Sequence, residues 1–281
     1  MPGRPPANIV AFAASRGLEL AGACTGGHVA SVWTARSATE TVVLKTDLCP
    51  PDAPRWRQAL SDLVPEAHWL TRHRYAPEVL ELSGGVLMLE HLPYENLEHL
   101  QPAFDPAREA AWIRMAADAS GPVGSCPRIL EPLTGAVTRI ADRGDLGQDQ
   151  VRLDAWLDWA RDQHAEATVA FDVLPQNTLA GPGHWYAIDP WPVTGPVAAV
   201  GASWVLARSV HDESRRRYRV HPDHLSRARD LLAGVHDPPG CARWMPAACA
   251  WWMFWPGQRR HLAYGAVREQ MLAWLHGHPE L

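Results

Sequence analysis

The sequence predicts an α+β fold: a smaller β-rich part over residues 1–92 and a larger helical part over 94–281, with the change of character at 88–93. Three observations predict it. The first 92 residues hold short apolar runs separated by turn formers, as in an antiparallel meander. After Leu92 the apolar residues recur mainly at helical spacing. One compact hairpin, around Gly181-Pro182-Gly183, interrupts that helical part. With 281 residues, 47% of them hydrophobic, the chain is long enough to bury a sizeable core, as one domain or as two lobes.

The elements follow in order. Residues 8–16 read as a short helix with Asn8 as its cap. Residues 18–24, 28–35 and 41–45 read as three strands, with Thr25-Gly26-Gly27 as the first turn. Residues 51–63 read as a helix capped by Asp52, which Pro65 breaks; Pro65 then opens another helix at the favoured first position, with Glu66 in its first turn. Residues 79–82 and 86–92 flank Ser83-Gly84-Gly85 as a hairpin. A helix starts at Asp105-Pro106 and runs to about Ala119. The Gly- and Pro-rich stretch 120–135 reads as a loop, 134–140 as helix or strand, and 141–150 as a polar connector. Leu153, Trp156, Leu157 and Ala160 mark a helix face. Beyond Asp189 the chain is expected to be helical to its end, over 197–210, 222–232 and 265–276. Trp251, Trp252, Phe254 and Trp255 form an aromatic cluster that reads as core.

Composition excludes some classes. A net charge of −5 and a pI near 6.3 argue against a nucleic-acid partner, and the run Arg215–Arg217 with Arg219 reads as a solvated helix face. Cys24, Cys49, Cys126, Cys241 and Cys249 show no metal spacing and read as reduced, packed cysteines. The pairs His221/His224 and His276/His278 lack the Cys or carboxylate company of a zinc site. No adequate apolar signal core follows the N-terminus, and the longest apolar stretch, about 244–255, is too short for a bilayer. A cytoplasmic protein without a membrane partner is expected. Lys45 is the only lysine; all 25 other long cationic side chains are Arg. Such usage reads as GC-biased coding, and a lysine retained alone marks a place for a compact ammonium, such as one resting on phosphates.

Residues 168–191 carry the strongest chemical signal. The apolar run 168–171 ends in Asp172, Asn177 follows five residues later, and a second run, 185–188, ends in Asp189. Three metal- or proton-capable side chains thus stand at strand or loop ends around one hairpin. Phosphoryl transfer needs a carboxylate beside the acceptor hydroxyl and hard oxygen ligands that hold Mg²⁺ on nucleotide phosphates. Asp172 supplies the first, and Asn177 and Asp189 the second; this is the arrangement of kinase catalytic loops.

The segment resembles the core of the aminoglycoside phosphotransferases, in the branch that includes streptomycin and hydroxyurea kinases. Asp172, Asn177, Leu179, Trp185, Ala187, Ile188, Asp189, Pro190 and Pro192 are in register with that branch. Ala170 and Leu174 depart from it, standing where the family usually has His. Gly26-Gly27, Val32-Trp33 and the run ending in Lys45 resemble the family's nucleotide-binding start, so the resemblance covers roughly residues 18–210.

The resemblance implies a two-lobed protein-kinase-like fold and an ATP- and Mg²⁺-dependent O-phosphotransferase. It assigns Asp172 to the acceptor hydroxyl, Asn177 and Asp189 to the metal, and Gly26, Gly27 and Lys45 to the phosphates. Glu66 pairs with Lys45, and the backbone at Glu90, His91 and Leu92 meets the adenine. The family's members mostly inactivate antibiotics, and GC-biased coding fits an antibiotic-producing bacterium. The expected acceptor is a cationic antibiotic: an aminoglycoside or, given the departures at Ala170 and Leu174, a tuberactinomycin-type cyclic peptide such as capreomycin or viomycin. The tryptophans with Asp212, Glu213 and Asp223 offer material for such a pocket. Two alternatives stay open: a catalytically inactive kinase-like ligand-binding protein, and a kinase of another small metabolite. A protein kinase is disfavoured, because Pro190-Trp191 follows Asp189 and no Ala-Pro-Glu comes after.

Overall fold

The computed structural model describes residues 4–24, 30–49, 52, 58, 62–100, 102–118, 120–121, 126–210, 221–254 and 264–277. Five antiparallel strands form the N-terminal sheet: β1 (Glu19–Ala23), β2 (Ala30–Arg36), β3 (Thr41–Asp47), β4 (Val79–Ser83) and β5 (Val86–Glu90), in the order β1-β2-β3-β5-β4. Strand alternation divides β3 between two faces. Val42 and Leu44 join Trp33, Ala35 and Val86 beneath helix α1 (Ala7–Ser15), whose Ile9, Phe12 and Ala13 close that small core. Val43 packs instead into the main core, and Lys45, two residues on, reaches Glu66 and Asp189. In register, Lys45 lies between Val32 of β2 and Leu87 of β5.

Asn8 is not the cap of α1. Pro6 precedes the helix, and Asn8 instead donates its amide to Thr46 Oγ1 at 2.5 Å. Thr46 in turn donates to Gly85 O at 2.8 Å, so the polar groups tie α1 to β3 and to the β4–β5 turn. The next described helix, α2 (Leu63–Arg72), also starts differently from the expectation: Asp62 accepts the N–H of Val64 at 3.0 Å, and Pro65 is the third helical residue. Proline is tolerated there because first-turn N–H groups have no helical partner. The helix expected over 51–63 lies mostly outside the described residues, as do Gly26 and Gly27.

The second lobe is helical: α3 (Leu97–Leu100), α4 (Pro106–Asp118), α5 (Leu130–Arg143), α6 (Gln150–Arg161), α7 (Val200–Val210), α8 (His224–Leu232), α9 (Pro238–Phe254) and α10 (Tyr264–Leu275). Helix α5 claims 130–135 from the expected loop and 141–143 from the expected connector; Pro132 sits in its first turn, and Gly144 ends it at φ 67°. Two small antiparallel pairs lie between α6 and α7: β6 (Ala167–Ala170) with β9 (Pro192–Gly195), and β7 (Thr178–Ala180) with β8 (Trp185–Ala187). Residues 192–195 pair with β6, a strand that the sequence reading does not anticipate, and helical structure then begins at Val197, as expected. No described helix is long and apolar enough to cross a membrane.

Two polar or aromatic features organise the helical core. Trp251 stands edge-on to Phe171 and Trp191 with ring centres 6.5 and 5.1 Å away, and stacks on Phe254 at 5.8 Å, while Trp255 lies outside the described residues. Aromatic edge contacts of this kind rigidify a core. They place α9 directly behind the segment that holds Asp172. Deeper in, Arg208 of α7 makes a two-pronged ion pair with Glu109 of α4, at 2.9 and 2.8 Å, and Trp204 Nε1 donates to the same carboxylate at 3.0 Å. Both charged side chains are at most 3% exposed, so neither has water as an alternative partner. Glu109→Ala leaves a buried guanidinium without its counter-charge and should cost about 3–5 kcal/mol. Urea unfolding of the variant checks this; a loss below about 1 kcal/mol would contradict it.

Candidate active site

Lys45 arrives from β3 and Glu66 from the first turn of α2. Their ammonium and carboxylate meet at 2.6 Å, and both side chains are only 7% exposed. Lys45 also donates to Asp189 Oδ1, from the segment after β8. Asp189 is different in exposure, with 37% of its side chain open, so the cluster faces solvent on the Asp189 side. Burial works against the Lys45 charge, but the two carboxylates, Asp189 foremost, hold its pKa above the ordinary lysine value. Burial pushes Glu66 up to about 7, and Asp189 adds to the rise while Lys45 opposes it. Among the described residues, Glu66 Oε1 is buried with no hydrogen-bond partner.

Asp172 and Asn177 complete the group. A short 3₁₀ turn, Pro175–Asn177, brings them together. Asn177 Nδ2 donates to Asp172 Oδ2 at 2.9 Å and to Asp172 O at 3.1 Å, and reaches Asp189 O at 3.5 Å. All three neighbours are acceptors, so they fix the amide with its nitrogen toward Asp172 and the Asp189 carbonyl and leave Oδ1 outside these contacts. Burial, followed by the nearby Asp189 charge, pushes Asp172 up to about 7; Asn177 and Lys45 pull the other way.

Asp189 is the only described non-glycine residue with positive φ, at 50°. Aspartate tolerates the left-handed region better than most residues, and Pro190 disfavours the right-handed helical region for the residue before it. The bend lets β8 hand the chain to β9. Backbone hydrogen bonds clamp it on both sides: Ile188 N donates to Asn177 O at 2.8 Å, and Phe171 N to Trp191 O at 3.2 Å. The two positions where His was expected carry no polar side chain: Ala170 is buried in the core, and Leu174 contributes its carbonyl, which accepts from Asn177 N at 2.9 Å and Thr178 Oγ1 at 2.9 Å. The loop is thus braced through its backbone.

The structure therefore brings Lys45, Glu66, Asp172, Asn177 and Asp189 into one cluster. Glu90, His91 and Leu92 follow at the end of β5 and beyond it. Glu90 N donates to Glu78 O at 2.9 Å and Glu90 Oε2 accepts from Glu78 N at 3.2 Å, so this residue's amide and carboxylate are both engaged with the preceding loop. The sequence reading missed the contact of Tyr75, whose carbonyl accepts Ala187 N at 2.8 Å and ties the loop after α2 to β8. A backbone contact leaves no side-chain signal that would have revealed it. The donor set suits a hard divalent cation: Asn177 Oδ1 and the Asp189 carboxylate are oxygen ligands, and Mg²⁺ is commonly held by one or two such groups together with substrate phosphates. Among the described residues, no three His, Cys, Asp or Glu side chains converge as a cage for a metal.

The fold is that of small-molecule kinases of the protein-kinase-like type. The chain is similar to the solved structure of choline kinase from Cryptosporidium parvum Iowa II, at 8% identity and a TM-score of 0.59 over 94% of this chain and 90% of that one. It is similar to the aminoglycoside phosphotransferase APH(4)-Ia at 13% identity and 0.59, over 96% and 98% of the two chains. A thermostable mutant of that phosphotransferase, in a ternary complex with AMP-PNP and hygromycin B, matches at 13% identity and 0.59, over 98% and 100%. No protein-family model matches the chain, and no curated protein does.

The raised carboxyls give a pH signature. A carboxyl whose folded pKa exceeds its unfolded value favours folding while it is protonated. For Asp172 that contribution is complete below about pH 4 and is lost as the pH rises through about 7. Asp172→Asn removes the titration and keeps a neutral side chain of the same shape. Between pH 5 and pH 8, in the absence of divalent cations, wild type should therefore lose roughly 2–4 °C or more of melting temperature relative to the variant. Parallel melting curves across that range would contradict the assignment.

Proposed function

We propose that the chain is an ATP- and Mg²⁺-dependent phosphotransferase acting on a hydroxyl of a small molecule. One observation carries the reading: Asn177 ties Asp172 to the Asp189 segment at 2.9 and 3.5 Å, while Asp189 is itself bound to the buried Lys45. A proton acceptor, two oxygen ligands and a phosphate-directed ammonium then share one cleft. In this reading Asp172 accepts the proton of the acceptor hydroxyl, the acceptor oxygen bonds to the γ-phosphorus, and the bond from that phosphorus to the bridging oxygen of ADP breaks. Lys45, oriented by Glu66, offsets charge on the nucleotide phosphates. Asn177 and Asp189 would hold Mg²⁺, which supplies charge neutralisation across the phosphate oxygens. Catalysis rests mainly on positioning and preorganised charge.

The flanking parts follow the same reading. Residues 1–92 form the nucleotide lobe, with Gly26 and Gly27 assigned to the phosphates, and residues 94–281 form the lobe that holds the acceptor. The adenine edge meets the backbone of Glu90, His91 and Leu92; the Glu90 N–H is engaged with Glu78 O at 2.9 Å, so that residue can offer only its carbonyl. The acceptor is a cationic antibiotic, either an aminoglycoside or a tuberactinomycin-type cyclic peptide such as capreomycin or viomycin, and the enzyme inactivates it in the cytoplasm. A structural neighbour's complex with AMP-PNP and hygromycin B supports this choice of acceptor class.

The test is turnover of Mg·ATP against a panel of such antibiotics, read as a mass gain of one phosphate on the drug. Wild type should phosphorylate at least one, and Asp172→Ala should bind nucleotide normally while losing at least about a hundredfold in turnover. Near-normal turnover in the variant would remove Asp172 from the chemistry. Bound nucleotide with no drug modified would count against the antibiotic.

A further inference from the structure

His73 ends α2, and its surroundings are unusual for a helix terminus. Its backbone N–H donates to Trp69 O and Leu70 O, both at 3.1 Å. Its ring stacks on Trp69 with centres 4.4 Å apart, and lies 6.1 Å from Trp112 of α4. The residue is 5% exposed, so its ring polarity has to be met from within the protein. Nδ1 accepts the backbone N–H of Tyr75 at 3.1 Å, which leaves the proton of the neutral ring on Nε2. Among the described residues that Nε2 has no partner, and burial holds the ring well below its ordinary pKa, at about 4. The imidazole is therefore neutral at physiological pH and acts as an acceptor.

The contacts of the next residues lead into the active site. Tyr75 O accepts the N–H of Ala187 on β8 at 2.8 Å, Ile188 N donates to Asn177 O at 2.8 Å, and Asp189 comes next. A second route runs through rings: Trp112, beside His73, stands edge-on to Trp185, the first residue of β8, at 6.0 Å. Both routes join the helix that carries Glu66 to the hairpin that precedes Asp189. These two carboxylates are the ones that grip Lys45 from opposite lobes.

We propose that His73 is a positioning residue. It couples α2 to β8, and so holds Glu66 and Asp189 at a fixed separation around Lys45 before any nucleotide arrives. Imidazole suits the position because it combines a flat ring for stacking with an in-plane acceptor. Phenylalanine keeps the ring but strands the Tyr75 N–H. Asparagine keeps an acceptor at the place of Nδ1 but gives up the stacking.

The structural part of this proposal is independent of the proposed function; only its nucleotide readout rests on that reading. The experiment compares full-length wild type, His73→Phe and His73→Asn by amide hydrogen exchange and by titration with Mg·ADP. In His73→Phe the amides of Tyr75 and Ala187 should exchange at least about tenfold faster while those of α9 stay unchanged, and Mg·ADP should bind at least about fivefold more weakly. His73→Asn should recover most of both effects. Wild-type protection at Ala187 in His73→Phe would overturn the proposal, as would equal losses in the two variants, which would mean packing alone. If His73→Phe fails to fold, His73→Asn decides: retained protection at Ala187 supports the coupling, and lost protection there with α9 intact refutes it. A wild type that binds no Mg·ADP would sink the nucleotide reading, and the exchange data would still judge His73.

Discussion

The cleft depends on one buried ammonium. An unpaired lysine charge 7% exposed would be untenable, and the structure meets it with two carboxylates that come from distant parts of the chain. This sets three requirements at once. Strand β3 must deliver Lys45 on its cleft face, α2 must dock with its first turn against the sheet, and the chain after β8 must bend so that Asp189 turns back toward β3. The left-handed residue at 189 is the local consequence, and the hydrogen bonds from Ile188 and Phe171 hold it there.

The charge balance of the cluster then follows. Glu66 and Asp189 bind the single ammonium, and Asp172, tied to Asn177, adds a third carboxyl to the group. Two of them are buried, and burial pushes both up to about 7. Such a cluster lacks positive charge, and its open side is the Asp189 side. A divalent cation arriving there would meet Asn177 Oδ1 and Asp189, whose orientations are already set by contacts to Asp172 and Lys45. Preorganised oxygen ligands lower the cost of ordering the site when the ligand binds.

Much of the site was readable from residue type and spacing. Asp172, Asn177 and Asp189 stand out because polar groups at the ends of apolar runs have few neighbours to hide among. Lys45 stands out because the chain has no other lysine. Glu66 was readable as a first-turn acid, although its helix begins earlier than Pro65 suggested. What escaped was set by tertiary pairing. The β9 segment carries two prolines' worth of turn signal at 190 and 192 and becomes a strand only because β6 offers partners. The first turn of α5 hid behind Pro132 and the Gly- and Pro-rich run before it. Asn8 has the residue type of a cap but finds Thr46 across the lobe, and His73 shows its role only once Trp69, Trp112 and Tyr75 are placed around it.

The most direct measurement of the central claim, a metal–nucleotide site built on Lys45 and Asp189, is calorimetric titration of ADP with and without Mg²⁺ into wild type and Asp189→Asn. The account predicts that Mg²⁺ tightens ADP binding to wild type at least about tenfold and gives little or no gain in the variant. A Mg²⁺ gain that survives in Asp189→Asn, or one absent from wild type, would contradict it.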